Sequence, residues 1–185
     1  MSKLILIVGC PGAGKTFKAK ELISPVHPGA AYIWDVNNEY GDNYRQWFTE
    51  MDGDFDGFVT HIRRVKKGVI LFEDATGYLP VNGRNNDLVK AIQARRHSGN
   101  TFIILFHSMR DIPKYIIRFA NAVYIFKTLD NPKFVRHEFE EVVNREGDLY
   151  EAWLRVYEAA QTHPFFAKYP PPPKVAPPME VFSQY

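Results

Sequence analysis

At 185 residues, 45% of them hydrophobic and 15% aromatic, the chain can bury one substantial core but is too short for a second full domain. The formal net charge is only +2, so contact with a polyanion has to come from local clusters rather than from the molecule as a whole. The single cysteine, Cys10, excludes a disulfide within the chain and suits a reducing, cytoplasmic setting, and no apolar run reaches the ~18 to 20 residues that span a bilayer.

In chain order, the first element is a strand over Leu4 to Val8, an apolar run rich in β-branched residues. Phe17 to Ile23 has helix-forming composition. Between them, Gly9-Cys10-Pro11-Gly12-Ala13-Gly14-Lys15-Thr16 matches G-x-x-x-x-G-K-[ST] at every fixed position. A turn of this kind at a strand-to-helix junction is a phosphate cradle. Gly9, Gly12 and Gly14, with Pro11 and Ala13 between them, allow backbone N–H groups to converge on a β-phosphate. The first helical turn, which includes Phe17, adds its positive end. Lys15 is expected to reach β- and γ-oxygens and Thr16 to ligate Mg²⁺.

A second strand follows over Ala31 to Trp34, then Asp35-Val36-Asn37-Asn38-Glu39-Tyr40, where Asn and Asp can satisfy local backbone donors in a turn or cap. Arg63, Arg64, Lys66 and Lys67 form the densest basic cluster, just ahead of a third strand over Val69 to Phe72. That strand ends in Glu73-Asp74. Acids at the carboxyl end of a parallel strand lie in the crevice where α/β proteins bind ligands. They can hold a metal ion and activate water, or simply cap the turn at Ala75-Thr76-Gly77. Glu73 is assigned to the metal side and Asp74 to the water side.

The spacing predicts a helix over residues 86 to 98, capped by Asn85 or Asn86 and stopped by Gly99, with Leu88, Ala91, Ile92 and Arg95 on one face. A fourth strand over Phe102 to Phe106 ends in His107. If it lies between the strands that carry the loop and the acids, His107 points at the γ-phosphate or the attacking water; the alternative is a histidine satisfied by a neighbour. Lys114 and Arg118 form a second basic pair, and the fifth strand covers Ala122 to Phe126. Asn131-Pro132 opens a helix to about residue 145. Leu149, Ala152, Trp153, Val156, Tyr157 and Ala160 then form an amphipathic stripe. Tyr169 to Pro178 reads as an extended polyproline segment. The boundaries are therefore a nucleotide-binding domain over residues 1–163 and a proline-rich tail over 164–185. Strands alternating with crossover segments make the chain an α/β protein with a mainly parallel, five-stranded sheet covered by helices on both faces.

Four features together resemble the FtsK/HerA branch of P-loop ATPases, above all the compact viral genome-packaging ATPases and Zot-like proteins. They are the phosphate loop, the Asp35 to Tyr40 stretch, Phe72-Glu73-Asp74-Ala75 followed by an aromatic residue and Pro80, and Arg95-Arg96-His97-Ser98-Gly99-Asn100 leading into the fourth strand. The resemblance implies strand order 5-1-4-3-2 and a homo-oligomeric ring, a pentamer or hexamer, that hydrolyses ATP with Mg²⁺ to move double- or single-stranded DNA without sequence preference. It also implies a capsid or portal vertex protein as receiver, and a place in the host cytoplasm or the virion. His107 stands where a sensor glutamine is usual, and the acidic pair is inverted. An arginine finger would come from Arg95 or Arg96, with Arg110 and Arg118 as further candidates. Glu39 would lie at a subunit boundary, and DNA would meet Arg63, Arg64, Lys66, Lys67, Lys114 and Arg118. The competing readings are a small nucleoside or nucleotide kinase, a transfer or secretion ATPase, and a GTP switch; the last lacks an Asn-Lys-x-Asp guanine reader.

Overall fold

The computed structural model describes residues 2–35, 37–41, 44–48, 54–79, 86–140, 146–162 and 178–183. Strands β1 (Leu4–Val8), β2 (Ala31–Asp35), β3 (Arg45–Phe48), β4 (Val69–Phe72), β5 (Thr101–Phe106), β6 (Ala122–Ile125) and β7 (Glu180–Ser183) form one sheet in the order β3-β2-β4-β5-β1-β6-β7. The five expected strands occupy the middle in the expected order, since 5-1-4-3-2 corresponds to β6-β1-β5-β4-β2. The sheet has seven strands rather than five. β3 pairs parallel with β2, and β7 pairs antiparallel with β6. The last described strand thus forms one edge of this sheet. Residues 163–177, which include the polyproline run, lie outside the described residues.

Alternation along each strand fixes the two faces. Leu4, Leu6 and Val8 of β1 face the same layer as Ile70 and Phe72 of β4 and Phe102, Ile104 and Phe106 of β5. Ile5, Ile7, Leu71, Ile103 and Leu105 face the other. On this second side lies helix α1 (Lys15–Ile23), with Ala19 and Ile23 buried. The first side is covered by α2 (Phe55–Ile62), α3 (Asp87–Gln93), α5 (Lys114–Ile117), α6 (Pro132–Glu140) and α7 (Glu146–Thr162), with the short α4 (Arg95–Ser98) following α3. The result is a three-layer sandwich. In α7 the expected stripe is buried at Leu149, Ala152, Trp153, Val156 and Ala160. Trp153 donates from Nε1 to Thr128 Oγ1 at 2.9 Å, which ties the helix to the segment after β6.

The helix expected over residues 86–98 is broken. Asn86 caps it by accepting from the Val89 N–H, and Gly99 ends it with φ +74°. Between them, α3 and α4 are separated by Ala94, whose ψ of −2° departs from the helical value. The Arg95 side chain turns back to donate to the Ile92 carbonyl at 3.1 Å. The next expected helix runs from Pro132 to Glu140; residues 141–145 are not described.

Candidate nucleotide-binding site

The phosphate loop joins β1 to α1 at the carboxyl edge of the sheet. The Gly9 N–H donates to Phe106 O at 3.1 Å and the Cys10 N–H to Lys127 O at 2.7 Å, so the loop is stitched to the ends of β5 and β6. A Cβ on Gly9 would stand 2.7 Å from the Phe126 Cβ, which is why the close approach requires glycine there. Gly12 and Gly14 have φ of +74° and +103°, in the left-handed region that L side chains rarely enter. Pro11 and Gly12 are exposed, Ala13 is buried, and Phe17 projects into solvent.

β5 lies between β1 and β4, which brings its carboxyl end between the loop and the acids. His107 follows β5 directly. Its Nδ1 is 3.3 Å from Lys15 Nζ, and its Nε2 is 3.4 Å from Asp74 Oδ2. Because the lysine ammonium can only donate, Nδ1 accepts, and the ring proton belongs on Nε2, facing the carboxylate. The histidine therefore bridges the loop lysine and the candidate water-side acid. The other Asp74 oxygen, Oδ1, accepts from the Thr76 N–H at 2.9 Å, which fixes the direction of the carboxylate. Asp74 thus caps the turn with one oxygen while the other faces His107.

Glu73 is buried and meets the loop from the opposite side. Thr16 Oγ1 donates to Glu73 Oε1 at 2.8 Å. Tyr40, in the turn after β2, donates its hydroxyl to Glu73 Oε2. That turn is held by Asp35, fully buried, whose carboxylate accepts from the N–H groups of Asn37 and Tyr40 at 3.1 Å each. Asp35 thus caps the turn, and Glu39 is exposed. Burial pushes the Glu73 carboxyl above its usual range, opposed by the bonds from Tyr40 and Thr16. Burial and the Glu73 charge push the Tyr40 phenol up as well, so it remains the donor. Burial pushes Lys15 below the ordinary lysine range, and Glu73, Cys10 and Asp74 push it back. Its Nζ also bonds Cys10 O at 3.2 Å. Side-by-side hydroxyl and carboxylate oxygens are the hard donors that magnesium prefers, and Thr16 with Glu73 fits the ion.

The position of the loop between a strand and a helix is legible from its motif alone. Tyr40 was missed because a tyrosine inside a turn has no spacing rule that points it at an acid thirty-three residues away. Replacing Tyr40 by phenylalanine removes one of the two donors that orient Glu73, and outer-shell partners of this kind contribute about 10- to 100-fold to metal affinity. The expected outcome is that the Mg²⁺ concentration for half-maximal nucleotide hydrolysis rises about 10-fold in Tyr40→Phe, measured by magnesium titration at saturating nucleotide.

The arginine expected as a finger divides into two cases. Arg95 is buried, and its guanidinium donates to Ile92 O at 3.1 Å and Phe119 O at 2.7 Å. It is an internal strut, fastened to two backbone carbonyls of its own chain rather than projecting outward. Arg96 is exposed at the edge opposite the loop. Of the basic residues, Arg63, Arg64, Lys66, Lys67 and Arg118 are exposed, with Arg63 3.2 Å from Asp87, while Lys114 is half-buried beside Glu138 at 3.1 Å.

By sequence the chain matches no family model and no curated protein. By structure it is similar to the genome packaging NTPase B204 from Sulfolobus turreted icosahedral virus 2 in complex with ATPγS, at 16% identity and a TM-score of 0.64, over 84% of this chain and 86% of that one. The fold is that of the P-loop NTPases. The N-terminal domain of zonular occludens toxin from Neisseria meningitidis shares this P-loop fold at 14% identity and a TM-score of 0.50, over 67% of this chain and 76% of that one. ATPases 2 and 3 of EssC from Geobacillus thermodenitrificans do so at 14% identity and 0.52, over 77% of this chain and 34% of that one. No described helix is long and apolar enough to cross a membrane.

Proposed function

We propose that this chain is an ATP-hydrolysing motor that moves DNA into a viral capsid, working as a homo-oligomeric ring. The observation that carries the reading is the set Lys15, Thr16, Glu73, Asp74 and His107 gathered at the junction of β1, β4 and β5, with one acid bonded to the loop and a second beside the histidine. The likeness to a packaging NTPase over most of both chains supports the choice of motor.

In this reading the loop N–H groups and Lys15 bind the β- and γ-phosphates and neutralise charge as it develops. Thr16 and Glu73 would hold magnesium, which would supply further neutralisation of the phosphate oxygens. Asp74 orients a water and accepts its proton. The water oxygen bonds to the γ-phosphorus, and the bond to the β–γ bridging oxygen breaks, leaving ADP and phosphate. His107, between Lys15 and Asp74, keeps the base aligned with the cradle. With Arg95 committed to its own interior, Arg96 is the arginine of the pair that can serve a neighbouring subunit.

The experiment is ATP hydrolysis with and without double-stranded DNA, with products resolved. Free phosphate whose release rises with DNA is expected. Accumulation of a phosphorylated small molecule in place of free phosphate would make the chain a kinase.

A further inference from the structure

The two edges of the sheet carry opposite charge. The carboxyl edge holds Asp35, Glu39, Glu73, Asp74, Asp111 and Asp130 around the phosphate loop. At the amino edge, the described residues leading into β1, β2, β4, β5 and β6 are 2–3, 24–30, 63–68, 94–100 and 118–121. They contain no aspartate or glutamate. They do contain Lys3, Arg64, Lys66, Lys67 and Arg118, all exposed.

These cations come from distant parts of the chain, yet their loops are fastened together by hydrogen bonds, two of the struts being the buried side chains of Asn100 and Arg95. Asn100 accepts from the Gly68 N–H at 2.9 Å and donates to Val65 O at 2.9 Å, binding the turn before β5 to the basic loop before β4. The Lys67 N–H donates to Ser98 O at 3.0 Å. Arg95 donates to Phe119 O, binding the same turn to the loop before β6. Asn121 then accepts from the Leu4 N–H at 2.8 Å, beside Lys3. The struts hold the cations on one rigid rim across the adjacent strands β4, β5, β1 and β6, a width of about 15 Å at the ordinary strand spacing. That is close to the width of a DNA major groove, about 12 Å between its flanking backbones.

We infer that this rim is the surface that receives the phosphate backbone of double-stranded DNA. Exposed cations on loops whose own described residues include no carboxylate give an attractive potential with no access to base edges, the pattern of contact that binds any sequence. The rim faces away from the nucleotide, so DNA and ATP occupy opposite edges of one sheet. The assignment rests on the motor reading and adds where the track lies. Lys114, placed beside Glu138, is not part of it.

The test is duplex binding by fluorescence anisotropy of the full chain over a series of salt concentrations, comparing wild type with Arg64→Glu/Lys66→Glu and with the milder Arg64→Gln/Lys66→Gln. The glutamine pair keeps the measurement usable if charge reversal harms folding. The glutamine pair is expected to bind at least 10-fold more weakly at low salt, with the slope of log affinity against log salt reduced by about 2 and DNA-independent ATP hydrolysis unchanged. Equal affinity and slope in wild type and both variants would overturn the rim while leaving a DNA motor intact. Wild type that hydrolyses ATP and binds no duplex would overturn the motor reading and the rim together.

Discussion

Lys15→Ala is expected to abolish ATP turnover, with kcat lowered by at least about 100-fold, the scale on which removing one preorganised charge donor acts. The argument is local. Lys15 is buried at the end of β1's loop and makes its contacts to Cys10 O and His107, neither of which can balance its charge. Burial holds its pKa low against the opposing pull of Glu73 and Asp74, and a bound polyphosphate would set further anionic oxygens against the ammonium. Alanine leaves the glycine geometry of the loop intact, so the protein should fold and melt as wild type does. Wild-type turnover in Lys15→Ala would remove the phosphate cradle from the mechanism.

Asp74→Asn is expected to bind ATP with wild-type affinity and to hydrolyse it about 100- to 10,000-fold more slowly, the range that a positioned general base contributes. The amide oxygen can still accept from the Thr76 N–H, as Asp74 Oδ1 does, so the turn is retained and only the proton acceptor is lost. Equilibrium binding of a fluorescent ATP analogue and phosphate release under single-turnover conditions separate the two effects. Normal turnover in the variant would pass the catalytic role to Glu73. That outcome would also require Glu73 to leave its bonds with Thr16 and Tyr40.

Much of this arrangement can be read from the residues before any coordinates. The inner strands announce themselves because each is covered on both faces and so is apolar without interruption. The loop motif requires a strand before it and a helix after it, and both are there. The edge strands were not legible for the opposite reason: among the described residues, Arg45–Phe48 and Glu180–Ser183 each have a single neighbour in the sheet and carry no continuous apolar run. Arg95 illustrates a different limit. Its spacing places it on the buried face with Ala91 and Ile92, but periodicity cannot tell a cation aimed outward from one fastened to two backbone carbonyls. Nor does a linear reading reveal that Lys66, Arg118 and Lys3 share an edge, because parallel topology brings together the starts of strands far apart in sequence.

The central claim is that a triphosphate lies across the amino end of α1 with its terminal phosphate facing Asp74 and His107. A crystal structure of the protein with magnesium and a non-hydrolysable ATP analogue tests it most directly. The account predicts the β-phosphate within the Gly9 to Thr16 loop, the ion against Thr16 on the Glu73 side, and a water between Asp74 and the γ-phosphorus. An analogue bound elsewhere, or an Asp74 carboxylate turned away from the γ-phosphate, would contradict it.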